Sequence, residues 1–264
     1  FSEVVERTAR LIAQWQAVGW AHGVMNTDNM SIHGITLDYG PFGFIDDYEA
    51  GFICNHSDHN GRYAFNQQPY IGLWNLSCLA QALLPLASKE DLKAALDRYT
   101  PLCEGQYMEL MRAKFGLIET KEEDASLIQD LLALMQLHHV DYTNFFRALG
   151  LFQTEAESLN NPLRDFFLDR ESFDQWARRY KDRLREEGSR DENRLARMNR
   201  VNPKYVLRNY LAQTGIEKAQ QKDFSEIDRL LALLQNPYTD QLGMDAYAAP
   251  PPNWGKHLAV SCSS

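Results

Sequence analysis

From Pro69 almost to the C-terminus the sequence repeats one signal: apolar residues at helical spacing, set between residues that start or stop helices. Ser88 can cap "KEDLKAALDRY", Thr120 with Glu123 makes a capping box before "SLIQDLLALMQLHH", Gly150 can stop "YTNFFRALG", and Ser189 with Glu192 makes a second box. The segment "NPKYVLRNYLAQTGIEKAQQKDFSEIDRLLALLQNP" adds two helices between Pro203 and Pro237. Near the start, Val4, Val5, Thr8, Leu11, Ile12, Trp15 and Val18 share one face of a helix over 3–18 that ends at Gly19. A β signal stands between these regions, where "MSI" and "ITL" flank the turn pair His33-Gly34. The expected fold is mainly α with a small β-hairpin.

Composition narrows what such a fold can do. The chain has 264 residues, 44% of them apolar, enough for a sizeable core. Its net charge of −9 argues against a general polyanion binder, because nucleic-acid surfaces rely on Lys and Arg to displace phosphate counterions. No apolar run reaches membrane-span length, and the N-terminus lacks the basic flank and apolar core of a signal peptide. No nucleic-acid or membrane partner is expected, and the protein is expected in the cytoplasm. The chain opens on Phe1 rather than Met and is already in helical pattern by Val4, so it reads as a fragment missing upstream residues.

Between the first helix and Pro69 lies the chemistry. "HGVMNTDNMSIHGITLDYGPFGF" sets Asp28-Asn29 on one side of the hairpin and Asp38-Tyr39-Gly40 on the other. Two carboxylates and a neutral amide oxygen are a donor set for a divalent cation such as Mg²⁺. The same residues also suit plain turns, Asp28 and Asn29 forming one and Asp38 leaving a strand. The stretch 40–69, rich in Gly, Asn, Asp, His and aromatics without a period, reads as a long structured loop. Within it His56, Asp58 and His59 form "HSDH", open to a metal-cluster reading, but the spacing is not H-E-x-x-H and loop hydrogen bonding is the expectation. His138-His139 suits a helix end. Cys78 and Cys103 lie in apolar surroundings as core or helix-face thiols, whereas Cys54 sits in the polar loop and Cys262 is third from the end. The charged stretch 178–197, with alternating signs, reads as a solvated helix face.

"HGVMNTDN" followed by Asp38-Tyr39-Gly40 resembles the catalytic half of a protein kinase, where H-G-D-x-x-x-x-N precedes a hairpin and D-F-G. Val24 takes the place of the kinase catalytic Asp, and an additional Asp28 precedes the Asn. With "MNTDNMSI", "DYGPFGFIDDY", "NHSDHNGRYAF", "GLWNLSCLAQAL", "NPKYVLRNYLAQ" and the terminal "VSCSS", the chain is similar over nearly its whole length to the selenoprotein O family. That resemblance implies a kinase-like C-lobe and a protein adenylyltransferase, which moves AMP from ATP to Ser, Thr or Tyr hydroxyls of proteins. It implies Asp28 as the proton acceptor, Asn29 and Asp38 as ligands of Mg²⁺ or Mn²⁺, and Asp38 as a contact to ATP through the metal. It further implies an N-terminal lobe supplying the phosphate-pairing Lys and Arg, so that the chain corresponds to the C-terminal half of a cysteine-containing, bacterial-type member. The expected division is a lobe over 1–245 and a Pro-rich arm over 246–264. The resemblance also implies a redox-sensitive bond between Cys54 and Cys262. Two rivals remain at this point: a nucleotide-binding pseudokinase scaffold, favoured by Val24, and an ordinary phosphotransferase.

Overall fold

The computed structural model describes residues 1–155 and 160–261. They form two compact units. The first comprises Phe1–Gly43, Ala50–Leu110 and the C-terminal residues from Ala259. Its frame is α1 (Ser2–Val18), packed on α2 (Gln68–Leu83) and α3 (Lys89–Leu96), with α4 (Tyr99–Lys114) following. The α1 face chosen by its apolar spacing is the buried one, with Val5, Leu11, Ile12 and Trp15 all inside. Where α2 passes the start of α4, a Cβ on Gly72 would stand 2.5 Å from the Tyr99 hydroxyl oxygen, so a glycine is what lets the two approach. Gly19 ends α1 in the left-handed conformation, and the Ser88 hydroxyl accepts from the Asp91 amide to cap α3, both as expected.

The fold is mainly α with a small two-stranded antiparallel sheet, and it is kinase-like. The strands are β1 (Trp20–Ala21) and β2 (Gly43–Phe44). The runs "MSI" and "ITL" are not strands. Instead Gly34 N–H donates to the Ser31 carbonyl at 3.2 Å and His33 N–H to the Ser31 hydroxyl at 3.1 Å, closing a local turn. Three-residue β-branched runs have too little side-chain surface to hold a ladder against such local bonds.

The second unit, Phe44–Glu49 and Met111–Leu258, holds α5 (Asp124–Leu137), α6 (Tyr142–Leu149), the single turn α7 (Asn161–Arg164), α8 (Arg170–Glu186), α9 (Asp191–Met198), α10 (Asn209–Gln220) and α11 (Ser225–Leu234). Its core is aromatic: Phe115, Phe145, Phe146, Phe173, Trp176 and Tyr180 are buried in edge-to-face and stacked pairs. Gly150 follows α6 as expected.

Neither expected capping box forms. Asp124, instead of Thr120, accepts from the Lys121 amide at 3.0 Å, and α9 begins without a side-chain cap while the Ser189 hydroxyl is buried unpaired among the described residues. The 178–197 stretch is only partly a solvated face. Arg183 is 4% and Arg194 0% exposed. Arg183 pairs with Asp124 at 2.8 Å and Glu187 at 2.9 Å, and Arg194 pairs with Asp191 at 2.8 Å and donates to the Phe152 carbonyl. Acids that meet a buried arginine offset the cost of taking its charge out of water, and Asp124 lies too far along the chain for pattern to reveal it. The Pro-rich C-terminal stretch is docked in part: Tyr210 of α10 donates to the Ala249 carbonyl at 3.1 Å and its ring meets that of Trp254.

Candidate functional site

After α1 stops, residues 20–29 run through the first unit in a short strand and a loop, so their backbone groups cannot satisfy one another as a helix would. Side chains do it instead. Gln68, fully buried at the start of α2, donates to the Trp20 carbonyl and accepts from the His22 amide, both at 2.9 Å. Asn55 donates to the Gly23 carbonyl at 3.2 Å, Asn75 of α2 to Met25 at 3.0 Å, and Asn29 to Val24 at 3.1 Å. Four neutral amides therefore set the loop's path. At Gly23, with φ of 83°, a Cβ would stand 2.5 Å from the Pro41 carbonyl oxygen and 2.8 Å from the Cys54 sulfur. Only glycine fits that position.

His22 links the two halves of the motif. It is buried against Trp15 and Trp20, its Nδ1 receives the Val24 amide at 3.4 Å, and Nε2 donates to the Leu37 carbonyl at 3.0 Å. Burial holds its pKa below the usual value, outweighing the Leu37 bond and the Asp38 charge that push it up. The imidazole is thus a neutral strut that fixes the residue just before Asp38. Asp38 itself has φ of 55°, and its carbonyl accepts from the Gly40 amide at 2.8 Å. Tyr39, Phe42 and Trp20 meet ring to ring beside it.

Asp28 lies in a 3-10 turn, Thr27–Asn29, and is exposed. Neither its carboxylate nor that of Asp38 has an ion-pair or hydrogen-bond partner among the described residues. Asn29 is half-buried, and its amide nitrogen is committed to Val24, which leaves its oxygen as the acceptor on offer. The structure thus ties Asn29 and the backbone before Asp38 to one scaffold, with Asp28 at its exposed turn.

The remaining sites divide. Asp58 accepts from the amides of Arg62 at 2.9 Å and Tyr63 at 2.7 Å, the loop role expected of "HSDH", and no group of three His, Cys, Asp or Glu among the described residues could hold a metal. Cys54 is buried with its sulfur 3.5 Å from the Ala21 carbonyl, and burial pushes its thiol up to about 12. Cys262 lies outside the described residues. The His56 amide donates to the Val260 carbonyl at 2.8 Å, so the C-terminal strand of chain reaches the loop two residues past Cys54. Among the described residues no helix is long and apolar enough to cross a membrane.

Asn55, Gln68, Asn75 and Tyr63, whose hydroxyl donates to Asn26 at 2.5 Å, belong to no recognisable catalytic or metal-binding sequence motif. Asn75 inside the apolar run "LWNLSCLAQALL" was the one signal in plain view, since a buried amide in a helix needs something to bond.

Residues 1–235 match the family model described as protein adenylyltransferase SelO. The chain is 62% identical over its whole length to the protein nucleotidyltransferase YdiU of Myxococcus xanthus, 59% over 99% of its length to that of Thioalkalivibrio sulfidiphilus, and 55% over its whole length to that of Pseudomonas fluorescens. In each case the match covers 54% of the relative, so the chain spans about half the length of the curated relatives it matches.

Proposed function

The chain belongs to the SelO family of protein adenylyltransferases, and we propose that it carries the catalytic loop of an enzyme that moves AMP from ATP to hydroxyl side chains of proteins. The observation that carries this reading is the loop itself: buried neutral amides and a neutral His22 hold it rigid while the exposed Asp28 carboxylate has no partner among the described residues. A general base needs that combination of fixed position and free lone pairs. Asp28 takes the proton of the acceptor hydroxyl as its oxygen attacks the α-phosphorus; the P–O bond to the departing pyrophosphate breaks.

The oxygens of Asn29 and Asp38 fit a hard divalent cation, because among the described residues neither the carboxylate nor the amide oxygen is already engaged. Mg²⁺ or Mn²⁺ held there would neutralise phosphate charge and align the nucleotide. We assign the remaining phosphate contacts to the part of the protein that the relatives possess beyond this chain. On that reading residues 1–245 act as the kinase-like C-lobe of a cysteine-containing, bacterial-type member working in the cytoplasm, with 246–264 as its C-terminal arm. The His56–Val260 bond also supports a two-electron switch in which Cys54 and Cys262 join, both thiol protons leaving to an oxidant such as a disulfide, with the arm fastened beside the loop.

The test is transfer from α-labelled ATP with Mg²⁺ by the whole protein, with and without Asp28→Ala. Label on protein that vanishes in the variant is the expected result. Label arriving only from the γ position would make it a phosphotransferase. Val24, where kinases carry their base, favours a scaffold as the second reading, and ATP binding with no transfer from either position would select it.

A further inference from the structure

Arg62 is a cation out of keeping with its surroundings. The chain has 36 Asp and Glu against 27 Lys and Arg, yet no carboxylate or other acceptor among the described residues meets the Arg62 guanidinium. It is exposed but not loose. Its guanidinium carbon lies 4.7 Å from the centroid of the Trp74 ring and 5.6 Å from that of Tyr63. The Asp58 carboxylate holds the backbone amides of Arg62 and Tyr63, and the Tyr63 hydroxyl bonds to Asn26, two residues before Asp28. Ile53, 43% exposed, stands against Gly61, and Trp74 is 39% exposed. The result is a small apolar and aromatic platform carrying one unpaired cation, mechanically linked to the Asp28 turn.

A guanidinium stacked on a ring keeps its N–H donors along its free edge, the arrangement that takes a carboxylate in two parallel hydrogen bonds. Arg, Trp and Tyr together are also the residues that dominate protein-recognition surfaces. We propose that Arg62 on Trp74 is a specificity-determining site that receives an acidic side chain of the acceptor polypeptide while a nearby hydroxyl is offered to Asp28. This rests on the adenylyltransferase reading for the identity of the acceptor. A polypeptide fits better than nucleotide phosphate because the cation lies over the Trp74 and Tyr63 rings, surfaces suited to side chains.

The experiment uses the whole protein, at the length of its relatives, and fluorescein-labelled serine peptides in which one Glu is walked across the flanking positions. Each Glu peptide is compared with its Gln counterpart by fluorescence anisotropy. At one position the Glu peptide should bind about fivefold tighter, the worth of one partly exposed ion pair. That ratio should fall to one in Arg62→Gln, survive in part in Arg62→Lys, shrink in Trp74→Ala and diminish with added salt. No position preferring Glu, or a preference that persists in Arg62→Gln, would overturn the proposal. So would Arg62→Gln weakening ATP binding with the peptide ratio intact, which would give the cation to the nucleotide. Failure of α-label to reach any peptide would sink the adenylyltransferase reading, while the binding ratio would still decide whether Arg62 selects acids.

Discussion

The loop that carries Asp28 and the aromatic core of the second unit face the same difficulty, polar groups without helix or sheet partners, and differ in how they use charge to meet it. The loop is held by neutral amides, Asn29, Asn55, Gln68 and Asn75, each bonded to a backbone carbonyl, while its acids are left unpaired. In the second unit buried arginines are spent on acids, Arg183 on Asp124 and Glu187, Arg208 on Asp46 and Asp141, alongside buried amides such as Asn202, which donates to the Lys114 carbonyl. A paired carboxylate stabilises, but its partner weakens its hold on a proton and occupies the place of another cation. Neutral scaffolding fixes a backbone without consuming the charges that chemistry needs.

The comparison breaks first at Asp28. Asp28→Ala should cut AMP transfer by about 10²- to 10⁴-fold, the usual worth of a general base, with thermal unfolding almost unchanged because the side chain has no partner to lose. A large loss of stability in that variant would mean the carboxylate is structural after all. Arg183→Met is the mirror experiment. It leaves the buried carboxylates of Asp124 and Glu187 without their cation, held only by backbone amides, and should cost about 3–5 kcal/mol in urea unfolding.

Gln68→Met sharpens the contrast from the loop side. The Trp20 carbonyl and His22 amide lose their partner, for a cost of about 1–3 kcal/mol. Unlike Arg183→Met, it should also slow transfer beyond what its stability loss explains, because His22 positions the residue before Asp38. Equal damage to transfer from both variants, once stability is matched, would erase the distinction between scaffold and core.

Helices with a complete local signal could be read from sequence. The α1 face, its Gly19 stop and the Ser88 cap need no information beyond a few neighbouring residues. Of the site, the residues proposed to bear the chemistry, Asp28, Asn29 and Asp38, stand out by type and order, whereas the amides that hold the loop do not. Gln68 lies 48 residues from the carbonyl it serves, and Arg183 lies 59 from Asp124. The same distant pairing explains the absent box at Thr120: Asp124 turns to Arg183 and to the Lys121 amide, and the helix starts on those bonds. Short apolar runs such as "MSI" are not strands for a related reason, since a strand exists only where a partner edge lies alongside.

Lys114 tests the rule at its exception. Among the described residues no acid pairs with it; it is buried in the second unit, its ammonium 4.4 Å from the Phe146 ring centroid and 5.1 Å from that of Tyr142. Burial lowers its pKa from the ordinary 10.5 to about 7. The unfolded chain keeps this proton up to about pH 10.5 and the folded chain only to about 7, so between those values unfolding takes up a proton. Stability from this group therefore rises with pH across that window, by up to about 1.4 kcal/mol per pH unit, and the full penalty of a buried charge is present below it. Lys114→Met should remove that slope, with its gain over the parent greatest at or below pH 7 and fading toward pH 10.5 in parallel urea titrations. A difference between parent and variant that does not change with pH would show that the two aromatic faces hold the ammonium charged in the folded state, and that rings can take the place of the acids found beside the buried arginines.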